Sequence, residues 1–412
     1  RSLVGSEMCI RDSKRALKFA SALEKIGIQK GDTVSFLAFN TPEIFEAHYS
    51  VPMTGGVLNT INIRLDAKTI AYILDHSDAK VLVVDRQLHV EVKKALSSLK
   101  KKITIIDIND KNADQSKLEK IGDLEYEEFL NSGDENYIWK MPEDEWQAIS
   151  LSYTSGTTGN PKGVVLTYDI NQNTDVMYTE DYNPLCVDFE GNNSFFSYLP
   201  MNHIAERIAI EFTSFKNGGV ISFTESIDTF IKNLSDVQPS VFFGVPRIYT
   251  KFQLGILSKF NQKKLDLLLS IPFLSSLIKK KIQKSLGLSN AKVIVSGAAA
   301  MQVAQRNWFR KIGVNNTIGY GMTENCAITT QIPGSNFNKP GSVGTVQPNV
   351  EIKIDKETEE VLMRGPYVMA GYYNDIETTN KTIKNGWLHT GDIGEFDQEG
   401  YLKITDRKKD II

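Results

Sequence analysis

The sequence predicts an α/β protein made of two layered α/β subdomains with mixed or parallel sheets, plus a smaller β-rich subdomain. Three observations carry this. Short apolar runs alternate with helically spaced runs over the first hundred residues, and the alternation returns over 194–335. From Gly341 the texture changes to short strands separated by turn residues. The chain has 412 residues, more than one hydrophobic core ordinarily serves, so more than one subdomain is expected.

In chain order, residues 1–13 show no helical or strand period and read as a non-native leader. Residues 16–26 have helical apolar spacing, and 33–39 form a buried-strand run. Thr41-Pro42 opens a helix, with proline at its first position. A further helix holds 70–74, and strands are expected at 81–84 and 103–106. Strand, helix, strand at this spacing argues for a parallel or mixed sheet with helices on both faces. Residues 109–145 are polar and charge-rich, a surface excursion. Residues 148–153 read as a strand delivering a Gly/Thr-rich loop, and 164–167 as a second strand, which would make the loop the cap of a hairpin. Later strands are expected near 220–223, 241–243 and 293–295. Residues 265–278 are apolar but broken by Asp266, Pro272 and three serines, and three lysines follow; they read as a pair of surface helices around Pro272, with an interfacial amphipathic helix as the alternative. Short strands at 350–354 and 361–363 and a hairpin at 397–400 close the pattern.

Composition narrows the function classes. A net charge of −3 argues against a general nucleic-acid binder. Cys9, Cys186 and Cys326 are widely spaced and form no metal or disulfide pattern, which fits a reducing cytoplasm. The five histidines show no zinc-ligand spacing. No run approaches the ~20 apolar residues of a membrane span. The expected setting is cytoplasmic, with peripheral membrane contact left open and oligomeric state unread.

The chemistry concentrates in residues 153–163, Tyr-Thr-Ser-Gly-Thr-Thr-Gly-Asn-Pro-Lys-Gly. Gly156, Gly159 and Gly163 let backbone amides turn toward one anion. Thr154, Ser155, Thr157 and Thr158 add hydroxyl donors, and Lys162 adds a mobile positive charge, so the loop suits a polyphosphate. It is not a Walker A loop, because Asn160 and Pro161 separate Gly159 from Lys162. A second element, Gly319-Tyr320-Gly321-Met322-Thr323-Glu324, offers close backbone approach, a flat ring for a purine, a hydroxyl for a phosphate and a hard oxygen ligand for Mg²⁺. Gly297-Ala298-Ala299 follows a strand end; by itself it reads best as a tight strand-to-helix junction. Asp392 follows a Gly turn, where a carboxylate can accept two vicinal hydroxyls.

The 153–163 string resembles the phosphate loop of the AMP-forming acyl- and aryl-activating enzymes, which include acyl-CoA synthetases, amino-acid adenylation domains and luciferases. The resemblance runs over 14–412 and is strongest from Leu151 onward. It implies the large N-terminal domain of an adenylate-forming enzyme, with 14–193 a first subdomain ending in the phosphate loop, 194–340 a second carrying acyl and adenine sites, 341–406 β-rich, and 407–412 the start of a hinge to an absent C-terminal domain. It makes 319–324 the adenine and magnesium motif, with Thr154 and Glu324 on the metal, and Gly297, Ala298 and Ala299 the opposite wall of the adenine site. It gives Asp392 and Arg407 to the ribose, Lys409 to the hinge, and Lys162, Thr323, Glu324 and His203 to catalysis. His203, Phe243 and Gly244 would line the acyl pocket, Gly244 leaving width for a chain. Amino-acid-activating members carry an aspartate where this chain reads Ile204-Ala205-Glu206-Arg207, so an apolar acid fits better, and the wording of 199–207 is nearest to long-chain acyl-CoA synthetases. ATP, Mg²⁺ and CoA as substrate follow, with a fatty acid activated to acyl-AMP and passed to CoA. Three other readings stay open: a nucleotide- and acyl-binding chain without turnover, an adenylate-forming ligase for another carboxylic acid, and a kinase, which would release ADP rather than AMP.

Overall fold

The continuous apolar runs become central strands because both faces of their sheets are covered, which removes the need for polar alternation. The structure, a computed structural model, describes residues 3–154, 159–169, 183–332, 339 and 341–407. The chain divides into two units: Arg1–Asn171 with Leu199–His203 and Met369–Thr379, and Gln172–Tyr198 with Ile204–Val368 and Asn380–Ile412.

The first unit is built on an eight-stranded sheet. Its parallel centre comprises β1 (Thr33–Leu37), β2 (Val57–Thr60), β3 (Val81–Asp85), β4 (Thr104–Ile108) and β5 (Leu124–Glu125), with β6 (Ala148–Thr154) parallel to β2. β7 (Lys162–Thr167) and the short β17 (Gly371–Tyr372) extend it antiparallel, giving the order β17-β7-β6-β2-β1-β3-β4-β5. Every residue of β1 and β3 is buried. The helix Ala67–His76 begins where the Asp66 carboxylate accepts the Thr69 N–H at 2.8 Å, and it buries Ile70, Ile73 and Leu74 against Leu82 and Val84. Pro42 opens the helix Pro42–Met53 as expected.

Residues 3–13, expected to lack regular structure, belong to one helix, Leu3–Lys25. The later half of that helix is anchored by buried Phe19, Ala20, Ala22 and Leu23 and by Arg15, which donates to Glu46 and bidentately to Glu127. Residues 3–13 contain no proline, and a nucleated helix gains one hydrogen bond for each residue it adds, so tertiary anchoring propagates helix through a segment without apolar period.

The second unit holds two sheets. The first has β8 (Ser194–Ser197), β9 (Val220–Phe223), β10 (Val241–Gly244), β11 (Val293–Ser296) and β12 (Asn316–Tyr320) in parallel, then β13 (Thr330–Gln331) and β14 (Thr345–Val346) antiparallel. Its order β14-β13-β12-β11-β10-β8-β9 reverses direction between β8 and β10, and ligands of open α/β sheets bind outside the carboxyl ends of strands at such a point. The second sheet is antiparallel, with β15 (Glu351–Ile354), β16 (Glu360–Arg364), β18 (Ile383–Lys384), β19 (Trp387–Phe396) and β20 (Leu402–Arg407).

The expected β-rich stretch 341–406 is therefore shared among three sheets: β14 completes the seven-stranded sheet and β17 the eight-stranded one. A two-residue strand is too short to show a period of two, so its partner cannot be read from pattern.

Candidate functional site

The Gly/Thr loop is the cap of a hairpin. β6 and β7 pair antiparallel with Thr154 opposite Lys162 and Tyr153 opposite Gly163, so the first hydroxyl and the lysine stand across from each other at the loop's base. Ser155, Gly156, Thr157 and Thr158 lie outside the described residues. Gly159 has φ +124°, a conformation that any Cβ would strain. The Lys162 ammonium sits 5.0 Å over the Tyr372 ring, held by the negative face of that ring. Tyr372 reaches it because β17 pairs with β7 and the Tyr373 N–H donates to the Gly163 carbonyl at 2.8 Å.

A histidine supports the hairpin from the other side of β6. The Tyr153 hydroxyl lies 2.8 Å from His76 Nδ1. The His76 ring stacks on Tyr72 at 5.2 Å and meets Tyr153 and Tyr373 edge-on. Burial lowers the His76 pKa from its ordinary value, against the raising effect of Asp375 and Asp75. Burial also lifts Tyr153 far above the usual phenol range, so its hydroxyl keeps its proton.

In the second unit three residues named from sequence meet. The Tyr320 hydroxyl donates to Asp392 Oδ2 at 2.7 Å, and Arg407 Nε forms an ion pair with Asp392 Oδ1 at 3.2 Å. Asp392 and Arg407 are opposite partners on β19 and β20, while Tyr320 ends β12. Asp392 is buried and Arg407 exposed, so the carboxylate is held between an internal phenol and an external cation. Burial, reinforced by Asp392, pushes the Tyr320 phenol well above its usual range.

The turn after Tyr320 is fixed by Asn325, which accepts from the Met322 N–H at 2.8 Å and donates to Thr329 Oγ1 at 2.8 Å. Cys326 and Ala327 take left-handed φ of 55° and 58°. Gly321, expected to admit a ligand, is instead required by the fold: a Cβ there would lie 2.3 Å from the Ala327 carbonyl carbon. At Gly319 the nearest atom to such a Cβ would be 3.9 Å away. Glu324 is buried and Thr323 half-buried in the short turn Thr323–Asn325. β11 and β12 are adjacent, so Gly297 packs beside Gly319, with a Cβ at 297 reaching 3.2 Å from the Gly319 carbonyl oxygen and 3.3 Å from the Phe243 ring. Ala298 is left-handed at φ 64°, a strained state that clusters at ligand sites. The Ser296 hydroxyl just before it is buried without a hydrogen-bond partner among the described residues.

The sequence profile of the AMP-binding enzyme family matches residues 13–373. The chain belongs to the AMP-binding enzyme family. It is 29% identical to long chain acyl-CoA synthetase 5 of Arabidopsis thaliana, over 96% of this chain and 65% of that protein. It is 31% identical to a peroxisomal acetate/butyrate–CoA ligase of the same plant, over 97% of this chain and 71% of that protein. The chain thus spans about two thirds of the length of these relatives. Among solved structures it resembles the inhibitor-bound N-terminal domain of FACL13 from Mycobacterium tuberculosis, with TM-score 0.74, 24% identity, and coverage of 96% of this chain and 92% of that one. The expected fold class, that of the N-terminal domain of adenylate-forming enzymes, is the observed one.

The residues expected at the acyl pocket divide between the two units. His203 belongs to the first unit with Leu199–His203, while Phe243 and Gly244 belong to the second. His203 is exposed; desolvation by the surrounding chain, with a smaller push from the Arg64 charge, lowers its pKa. Gly244 does not hold open width for a chain. A Cβ there would lie 2.9 Å from the Phe242 ring and 3.0 Å from the Tyr249 ring, both fully buried. The glycine makes room for Tyr249, whose hydroxyl donates to the Val295 carbonyl at 3.0 Å. Lys409 lies outside the described residues.

Sequence reasoning missed His76, with Tyr72 and Tyr373 around it, and the irregularity of the helix expected after His203. That helix is irregular: Ile204–Glu206 is α, Arg207–Phe212 is π and Thr213–Asn217 is α again. Single π turns mark functional segments in many proteins. Glu206 is fully buried and accepts from Ser197 Oγ at 2.7 Å and from the Tyr198 N–H at 3.2 Å. Burial lifts the Glu211 carboxyl to about 8, against the pull of Arg207. The signal available in sequence was two carboxylates and one arginine in an otherwise apolar run.

Proposed function

We propose that the protein activates a carboxylic acid with ATP, forming acyl-AMP and pyrophosphate, and passes the acyl group to the thiol of CoA with release of AMP; we propose a long-chain fatty acid as the acid. The observation that carries the nucleotide reading is the Tyr320–Asp392–Arg407 cluster, an aromatic ring with a flat face for a purine tied to a carboxylate suited to ribose hydroxyls. The hairpin from Thr154 to Lys162 carries the donors for phosphates. In the first half-reaction the acid's carboxylate oxygen attacks the α-phosphorus and the bond to the bridging oxygen of pyrophosphate breaks. In the second, the thiol sulfur attacks the acyl carbonyl, its proton leaves to solvent and AMP departs. Positioning and charge stabilisation carry such chemistry, and no protein nucleophile is required.

Among the described residues there is no group of three His, Cys, Asp or Glu able to hold a metal alone. A buried carboxylate, Glu324, suits Mg²⁺, which keeps several waters and shares its ligands with substrate phosphates. Bound there, Mg²⁺ would neutralise phosphate charge.

The long-chain reading is supported by the 199–207 segment and by the relatives named long chain acyl-CoA synthetases. A second reading, a short acid, is favoured by the ring-filled space at Gly244 and by the acetate/butyrate–CoA ligase relative. Acid-dependent exchange of labelled pyrophosphate into ATP, run with palmitate, butyrate, acetate and cinnamate, tests both. Palmitate as the best substrate supports the first reading and acetate or butyrate the second. Release of ADP, or no exchange with any acid from a protein that binds ATP, sinks the ligase assignment.

A further inference from the structure

Residues 246–285 form three helices, Pro246–Lys259, Gln262–Ser270 and Pro272–Ser285, that carry nine basic residues against one acidic residue, a local +8 in a chain of net charge −3. The one acidic residue, Asp266, is already paired with Lys311 at 2.6 Å. The last two helices turn on a single residue, Ile271, and the hairpin is seated on the core by buried Leu265 and Ile282. Around the corner large apolar side chains face water instead: Phe273 is 79% exposed and Leu267 64%, with Ile271 and Leu277 also exposed. Lys263 and Lys264 precede the corner, and exposed Lys280 and Lys281 follow it. At 1.5 Å per helical residue both pairs stand about 10–15 Å behind the corner, one on each arm.

We propose that this helical corner docks on an anionic lipid surface, with Phe273, Ile271 and Leu277 entering the boundary of the acyl region and the lysines of both arms meeting lipid phosphates. Interfacial helices bury their apolar side about 5–10 Å deep, which leaves cations set behind the corner at headgroup depth. An acidic protein would satisfy the lysines but gives no reason for a bulky apolar tip; a bilayer edge satisfies both. Among the described residues no helix is long and apolar enough to cross a membrane, so the contact is peripheral.

Flotation of the intact chain with phosphatidylcholine vesicles, with and without phosphatidylserine, tests this. Binding is expected only with phosphatidylserine and should weaken as salt rises. Lys279→Gln/Lys280→Gln/Lys281→Gln should weaken it roughly tenfold to a hundredfold, given the usual contribution of each cation near an anionic bilayer. Phe273→Glu should abolish it. Phe273, Lys280 and Lys281 are exposed and Lys279 half-buried, and unchanged circular dichroism and melting temperature will establish that both variants remain folded; should Phe273→Glu unfold the chain, the lysine variant and the salt series still decide. No flotation, or flotation indifferent to the lysine variant and to salt, overturns the proposal. So does concentration-dependent dimerisation that Phe273→Glu removes without any vesicle binding, which would give this face to a second copy of the chain.

Discussion

Under the proposed function, the Gly/Thr hairpin and the Tyr320–Asp392–Arg407 cluster each supply groups for a nucleotide, and they assemble those groups by opposite routes. In the hairpin the functional groups are neighbours in sequence, and the strand register alone sets Thr154 opposite Lys162. In the cluster Tyr320 and Asp392 are 72 residues apart, and their 2.7 Å contact exists only because the end of a strand in one sheet meets the middle of a strand in another. The hairpin presents a cation resting on an aromatic face; the cluster presents a buried anion held between a phenol and a guanidinium. A local motif therefore tolerates change in its surroundings better than a composite one, because its geometry is carried by its own backbone pairing.

Nucleotide affinity should separate the two. Asp392→Ala removes a charged hydrogen-bond acceptor from the half-buried Tyr320 hydroxyl. Hydrogen bonds to charged groups contribute about 1.5–3 kcal/mol, so ATP and AMP should both bind roughly tenfold to a hundredfold more weakly. Lys162→Met should weaken ATP by a similar factor and leave AMP nearly unchanged, since the hairpin's donors suit the outer phosphates. Isothermal titration with each nucleotide checks both variants. Equal losses for ATP and AMP in Lys162→Met would erase the distinction between the two regions.

The next effect concerns the turns of the composite region. Gly321→Ala forces a Cβ to within 2.3 Å of backbone, whereas Gly319→Ala meets nothing closer than 3.9 Å. Gly321→Ala should lower stability by about 1–3 kcal/mol, the usual range for overpacking, and Gly319→Ala should be close to neutral. Urea denaturation of the two variants side by side measures the difference. If both are neutral, the turn is softer than its two left-handed residues imply.

What was legible in the sequence follows the same division. The hairpin, the strands β1 and β3 and the proline-opened helix were readable because each is specified within one short window. Tyr320, Asp392 and Arg407 were each singled out, but their mutual contact was not, since nothing in spacing encodes a meeting across 72 residues. Gly244 was misread for a related reason: a glycine at a strand end announces missing volume, not the identity of the neighbour that fills it, here Tyr249. His76 was passed over as one scattered histidine, because its role depends on Tyr153 lying 77 residues away. The helix through residues 3–13 was invisible for want of an apolar period, its order imposed by the anchored half that follows.

The smallest expected effect asks whether the hairpin is as self-sufficient as its pairing suggests. His76 is neutral in both folded and unfolded chains well above 6.5, its ordinary value. As pH falls through 6.5 the unfolded chain takes up a proton that the folded ring, its pKa lowered, does not, so stability must fall in that window and level off once the folded ring also titrates. Asp375 and Asp75 oppose the shift, while Tyr72, Tyr153 and Tyr373 crowd the ring without adding charge near neutrality. His76→Phe keeps a flat ring against Tyr72 but strips the Tyr153 hydroxyl of its partner, for a loss of about 1 kcal/mol at neutral pH. Thermal midpoints measured from neutral to mildly acidic pH should fall less steeply in the variant than in the parent chain. Its ATP affinity should drop a few-fold with AMP unaffected, because the disturbed residue precedes Thr154 in the hairpin. An unchanged pH slope would show that His76 titrates freely in the folded chain. An unchanged ATP affinity would show that β6 and β7 hold the loop without help, making the hairpin the self-contained member of the pair.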